Sequence, residues 1–207
     1  MGNLNINIGR TILLGHILLL LFFSLNIDTF GQQKEKNGFI GIVIGPSFPM
    51  ADFGDHSDKN ANSGYAENSR LDYMVDFGYR FGKYYGLSAS YFVHQYDVDT
   101  STIGLSWGLG GIVAGPMLII PVTDKLLFDL SFNLGYVTGD LSTDHLDDDL
   151  MGHGLGIVAK CLIRYNVLKR WCIIAETSYI TTNQRLKIGI HKNLQAINLN
   201  FGAGFRL

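Results

Sequence analysis

The stretch Leu71-Asp72-Tyr73-Met74-Val75-Asp76-Phe77-Gly78-Tyr79-Arg80-Phe81 decides the fold. Every odd position is large and apolar or aromatic, and the even positions are Asp, Met, Asp, Gly and Arg. Alternation with a period of two belongs to a strand whose two faces meet different surroundings. The same pattern returns in Phe128-Asp129-Leu130-Ser131-Phe132-Asn133-Leu134-Gly135-Tyr136 and at the end of the chain. There, Ile197, Leu199, Phe201, Ala203, Phe205 and Leu207 share one face, while Asn198, Asn200, Gly202, Gly204 and Arg206 share the other.

Working outward from these stretches, strands are predicted over 38–49, 70–82, 85–97, 104–120, 126–137, 154–165, 171–182 and 195–207. Short connections fall at 82–84, 121–125 and 166–170. Long polar ones fall at 51–69, 138–153 and 183–194, while the link near 98–103 is short on the long-loop side. Eight strands with short turns at one end and long loops at the other form an all-β, antiparallel, up-and-down barrel of the small transmembrane type. A soluble barrel shows the same alternation with its faces reversed, and volume decides between the two. Tyr73, Phe77, Tyr79, Phe81, Phe128, Phe132, Tyr136, Phe201 and Phe205 would overfill an interior only just wide enough for side chains. Gly78, Ser131, Asn133, Gly135, Gly156, Ser178, Asn198 and Asn200 fit there instead, as a polar lumen. The apolar face then meets lipid, and closure satisfies the backbone, as lipid requires. Tyr84, Tyr85, Tyr165 and Trp171 near the short turns, with Tyr96, Trp107, Tyr136 and Tyr179 towards the other rim, read as two aromatic girdles.

Residues 1–31 read as a cleaved secretory signal. Arg10 precedes the apolar run Ile12–Phe23, and Thr29 and Gly31 occupy the −3 and −1 positions of a cut before Gln32. The run is too short for a comfortable span, and Asn26 and Asp28 close it. Residues 32–207 form the barrel domain, exported to the outer membrane.

Composition removes other classes. Of the 207 residues, 16% are charged, against roughly 25% in a soluble domain, and Glu occurs only at 35, 67 and 176, which excludes a Glu/Lys-rich helical protein. A net charge of −2 supplies no field to recruit nucleic acid. Two cysteines make neither a disulfide scaffold nor a four-ligand zinc site.

Gly38-Phe39-Ile40-Gly41, Gly45-Pro46-Ser47-Phe48-Pro49 and Asp52-Phe53 resemble the first strand and loop of the outer-membrane beta-barrel domain common in Bacteroidetes-type bacteria. Arg164-Tyr165-Asn166-Val167-Leu168-Lys169-Arg170-Trp171 resembles that family's sixth-to-seventh hairpin. Phe205-Arg206-Leu207 is similar to the closing strand read by the barrel-assembly machinery, although many members end in Phe. The likeness covers nearly all of 38–207. It implies the fold and little about role: the wider OmpX- and OmpA-like group includes adhesion, stability and unknown functions, and no active-site motif carries over.

Alternation sends Asp72, Asp76, Asp129 and Glu176 inward against Arg80, Lys160, Arg164 and Arg206. Buried charges are costly unless paired, so ion pairs are expected to plug the lumen. Ser90 and His94 share a face but lie roughly 13 Å apart along their strand, too far for a nucleophile–base pair. No Gly-x-Ser-x-Gly elbow occurs, so an enzyme is not expected. The acidic run 145–153 lacks the spacing of a Ca²⁺ loop, and no metal or cofactor is expected. Arg185, Lys187 and Lys192 make the last loop basic and suited to lipopolysaccharide phosphates. Cys161 is placed towards lipid and Cys172 inward, so the two stay free thiols. The expectation is a monomeric barrel with a structural or surface-interaction role, its polar loops facing outside. A narrow channel for small solutes or ions and a soluble periplasmic ligand-binding barrel are the other readings the residues leave open.

Overall fold

The computed structural model describes residues 37–57, 63–67, 69, 72–98, 105–143, 150–186 and 191–207. The expected signal segment and residues 144–149 of the acidic run lie outside the described residues. Nine strands follow one another: β1 (Gly38–Gly45), β2 (Ser47–Pro49), β3 (Asp72–Arg80), β4 (Tyr85–Asp97), β5 (Leu105–Pro121), β6 (Leu126–Thr143), β7 (Leu150–Asn166), β8 (Trp171–Leu186) and β9 (His191–Arg206). Every pairing between them is antiparallel. From β3 to β9 each strand pairs with the next in sequence, and β1 lies between β3 and β9, which closes the barrel. Proline has no N–H to give a ladder, and Pro46 splits the first predicted strand into β1 and β2. Both halves keep one register on β9, Ile44 opposite Phe201 and Ser47 opposite Asn198, and the Pro46 carbonyl still accepts the Leu199 N–H at 3.1 Å. The ring therefore has eight staves.

The two faces separate as the alternation requires. On β3, Asp72, Met74, Asp76 and Gly78 are buried, while Tyr73, Phe77 and Tyr79 are exposed. On β6, Asp129, Asn133 and Val137 are buried, while Leu130, Phe132, Leu134 and Tyr136 are exposed. Near the short turns, Tyr84, Tyr85, Tyr165 and Trp171 are exposed, and Trp171 meets Phe205 edge-on at 5.4 Å.

Three expectations need correction. First, the lumen is not simply polar. Phe39, Met74, Phe92, Leu109, Ile119, Leu162, Ile174 and Ile180 are buried in it beside the charges. Glycines facing them supply the space: a Cβ on Gly78 would lie 2.2 Å from Phe39 Cε1, and one on Gly41 would lie 2.5 Å from Ile174 Cδ1.

Second, Tyr96 and Trp107 are not girdle residues. Both are at most 3% exposed and point inward, because Tyr96 has the parity of His94 and Ser90.

Third, the polar loops are shorter and less outward than expected. β6, β7, β8 and β9 continue pairing past the belt, so the second and third long connections shrink to 144–149 and 187–190. The described part of the first connection folds over the mouth. Its 3-10 turn, Ala51–Gly54, drives Phe53 inward to 1% exposure, edge-on to Tyr96 at 5.0 Å and to Trp107 at 6.0 Å.

Candidate functional site

The interior of the barrel gathers the chain's chemistry in three tiers. The middle tier is carried by β3, β4, β7 and β8. Lys160 on β7 donates to Asp76 Oδ1 on β3 in a short contact, donates to Ser90 Oγ on β4 at 2.7 Å, and lies 3.7 Å from Glu176 Oε2 on β8. Ser90 Oγ also donates to Asp76 Oδ1 at 2.7 Å. Four strands around the ring are thus tied through one ammonium group that is 3% exposed. Ser90 beside Lys160 has the composition of a nucleophile–base dyad. Yet the nitrogen is a donor in both its bonds and faces two carboxylates, so it is not placed to take a proton from Ser90.

Nearer the short turns, Arg164 on β7 grips Asp129 on β6 through Nε at 2.5 Å and Nη2 at 3.1 Å. This fork is the strong form of a carboxylate pair. The guanidinium carbon also sits 4.1 Å from the centroid of the Phe39 ring on β1, a cation–π contact spanning the lumen. Arg80 and Arg206 are half-buried at the short-turn ends of β3 and β9.

Towards the other mouth, Asp72 forms no ion pair with an arginine or lysine among the described residues. Ser69 Oγ donates to its Oδ2 at 2.6 Å, and His94 Nδ1 is 3.5 Å from the same oxygen. Ser69 Oγ accepts the Ser47 N–H at 2.9 Å, and Ser47 Oγ and Tyr96 OH are 2.7 Å apart. The Tyr96 ring then carries Phe53. The mouth cap is tied to the lumen network through one tyrosine whose hydroxyl serves the polar side and whose ring serves the apolar side.

The cap itself is a small folded piece. Gly64 N–H donates to Asp52 O at 2.7 Å, Ala66 N–H to Phe53 O at 3.1 Å, Met50 N–H to Gln195 O at 2.8 Å and Glu67 N–H to Asp97 O at 2.8 Å. Trp107 Nε1 donates to Gly64 O at 3.0 Å. Gly64 must be glycine, because a Cβ there would lie 2.5 Å from Phe53 O and 2.9 Å from its Cα. Ala51 and Tyr65, at φ of 50° and 52°, hold the left-handed conformation that side chains disfavour, and both lie in this cap.

Of the eight predicted lumen charges, the structure brings Asp76, Lys160 and Glu176 into one cluster and Asp129 and Arg164 into another. Asp72 joins His94, Ser69 and Tyr96 instead. Ser90 and His94 share the inward face but serve different tiers, as their spacing requires. The residues missed from sequence are Ser69 and Phe53, and His94 is weighed there only as a base for Ser90, not as a neighbour of Asp72 and Tyr96. Parity alone places His94 inward, whereas no periodic signal marks a loop residue such as Ser69 or Phe53. Cys161 faces outward and Cys172 is buried, and both are free thiols.

No protein-family model matches the chain, and no curated protein matches it. Solved structures do share its fold. Neisserial surface protein A superimposes with a TM-score of 0.58 at 12% identity, over 82% of this chain and 97% of that one. The attachment invasion locus protein Ail of Yersinia pestis gives 0.50 at 17% identity, over 83% and 99%. Outer membrane protein W of E. coli gives 0.50 at 16% identity, over 85% and 100%. At these identities the likeness is one of fold: the chain has the architecture of small outer-membrane barrels.

Proposed function

We propose that this chain is an exported outer-membrane barrel, closed to solute flow, with a structural or surface-interaction role and no catalytic activity. The observation that carries the reading is the filled lumen. The Lys160 and Arg164 clusters span it from wall to wall, apolar side chains pack between them, and Phe53 stops the outer mouth. The exposed aromatic and aliphatic belt supports residence in lipid, since a soluble protein rarely shows so continuous an apolar surface. Neisserial surface protein A and the attachment invasion locus protein carry surface and attachment roles in their names, which fits a barrel that offers its outer rim rather than a pore.

In this reading residues 1–31 are removed on export, and the mature chain begins at Gln32. The closing strand, ending Phe205-Arg206-Leu207, is delivered to the barrel-assembly machinery, and the barrel works as a monomer among outer-membrane lipids and lipopolysaccharide. Its first strand and loop support a place in the Bacteroidetes-type group of such domains. The test is planar-bilayer conductance of the refolded protein. A closed barrel gives no sustained current steps, and Phe53→Ala alone leaves it silent because the Lys160 tier still blocks the lumen. Reproducible unit steps from the unmodified protein would make it a narrow channel instead.

A further inference from the structure

The outward face of β7, β8 and β9 changes character above its apolar belt. The continuous apolar belt on this face reaches Leu155 on β7, Tyr179 on β8 and Ile197 on β9, with Met151 a further exposed apolar side chain at the far end of β7. The next outward residues are His153 on β7, Thr181, Asn183 and Arg185 on β8, and Gln195, Asn193 and His191 on β9. Register sets His153 directly opposite Arg185, and Arg185 directly opposite His191. Three nitrogen-bearing side chains therefore form one row across three strands, with Cβ atoms roughly 5 Å apart. All three are exposed.

None of the ion pairs among the described residues uses Arg185. Its neighbours are held in place: the His153 ring stacks on Tyr136 at 5.9 Å, and His191 Nδ1 lies 3.4 Å from Asn183 Oδ1. Beneath the row is a ladder of hydroxyls and amides. Thr181 Oγ1 is 3.4 Å from Asn193 Oδ1, and Tyr179 OH donates to Gln195 Oε1 at 2.9 Å. Arg185 lies six residues past Tyr179, roughly 20 Å along the strand and ~15 Å in height at the usual barrel tilt. That is the layer of headgroups and headgroup sugars directly above the lipid that the belt contacts. Lys192 does not belong to the row. It sits opposite the buried Gln184 and donates to Ser63 O at 3.2 Å in the cap.

We propose that the His153–Arg185–His191 row binds the phosphate of a phosphorylated glycolipid in the outer leaflet. The arginine fork takes two phosphate oxygens, an imidazole N–H donates from either side, and the ladder beneath meets the sugar hydroxyls. This site rests on the reading that the outward face meets lipid.

The test uses the folded full-length protein in detergent, with lipid A carrying both phosphates and its dephosphorylated counterpart as probes, and counts retained lipid by native mass spectrometry. The unmodified protein should prefer the phosphorylated lipid. Arg185→Gln should weaken retention about fivefold, the effect of one arginine at an anionic membrane surface. Arg185→Lys, which keeps the charge and loses the fork, should fall between, and Lys192→Gln should match the unmodified protein. Equal retention of both lipids, an Arg185→Gln protein that binds normally, or inorganic phosphate binding as tightly as the lipid would overturn the proposal. Each variant is also run unboiled on a gel. A chain that never forms a detergent-resistant barrel overturns the membrane reading together with this site, whereas a well-formed barrel indifferent to Arg185 overturns the site alone.

Discussion

Removing the Lys160 ammonium should be the most damaging single change in the barrel wall. Lys160→Met keeps the length and apolar stem of the side chain but leaves Asp76, 1% exposed, and Glu176, 0% exposed at its side chain, facing each other without a cation. The donor to Asp76 Oδ1 and to Ser90 Oγ is lost in the same step. Breaking a buried ion pair from one side costs about 3–5 kcal/mol, because the remaining charge stays desolvated. With an unfolding slope of about 2 kcal/mol per molar urea, that lowers the midpoint by roughly 2 M. The assay is urea unfolding in lipid vesicles, read by the loss of the fast-migrating unboiled band. The companion variant Asp76→Leu/Lys160→Met/Glu176→Leu removes the whole triad, and an apolar replacement of a buried ionic cluster is often neutral or stabilising. It should recover most of the lost midpoint. A Lys160→Met protein within 0.3 M of the unmodified one would show that the ammonium contributes nothing, and a triple variant as weak as the single one would show that the damage is steric.

Phe53→Ala, made in a Trp171→Phe background, should shift the Trp107 emission to the red and raise its quenching by acrylamide, since the ring covering it is gone; unchanged emission refutes the cap. In vesicles, a lipid-soluble maleimide should label Cys161 and spare Cys172 until the protein is boiled, and the opposite pattern would invert the faces. Phe132→Arg places a cation on the exposed belt and should cost about 2–4 kcal/mol in a bilayer, measured by the same urea assay. Gly78→Val should destabilise by about 1–3 kcal/mol, because its Cβ would press on Phe39 and the added methyls have no room; a Phe39→Leu partner should relieve part of it.

Much of this architecture was legible because the side-chain period of a strand is fixed. Asp72, Asp76 and Arg80 on one parity, against Tyr73, Phe77 and Tyr79 on the other, leave only one assignment of faces once volume is considered. The same parity holds Lys160, Arg164 and Glu176 inside. A one-residue slip would move all of these charges into lipid, so the ion pairs also fix the register. The misreadings came from where the period stops carrying information. Strand ends beyond the belt lose their apolar marks, so His153, Arg185 and His191 read as loop although they are paired. Residue type alone assigns Tyr96 and Trp107 to a girdle, whereas the parity of Tyr96 with Ser90 and His94 on the same strand places it inside. Phe53 lies in a polar loop with no period at all. Its burial depends on Tyr96 and Trp107, about 40 and 50 residues away in sequence, and only the closed ring brings them together.

The central claim is that the apolar face of this ring meets lipid and that the ring is closed. Outer-membrane fractions of cells expressing the full chain, run on a gel with and without boiling, test it most directly. A closed membrane barrel should be found in that fraction, begin at Gln32 by mass, and migrate faster before boiling than after. Protein recovered from the soluble periplasm with the same mobility in both lanes would contradict the account and turn its two faces around.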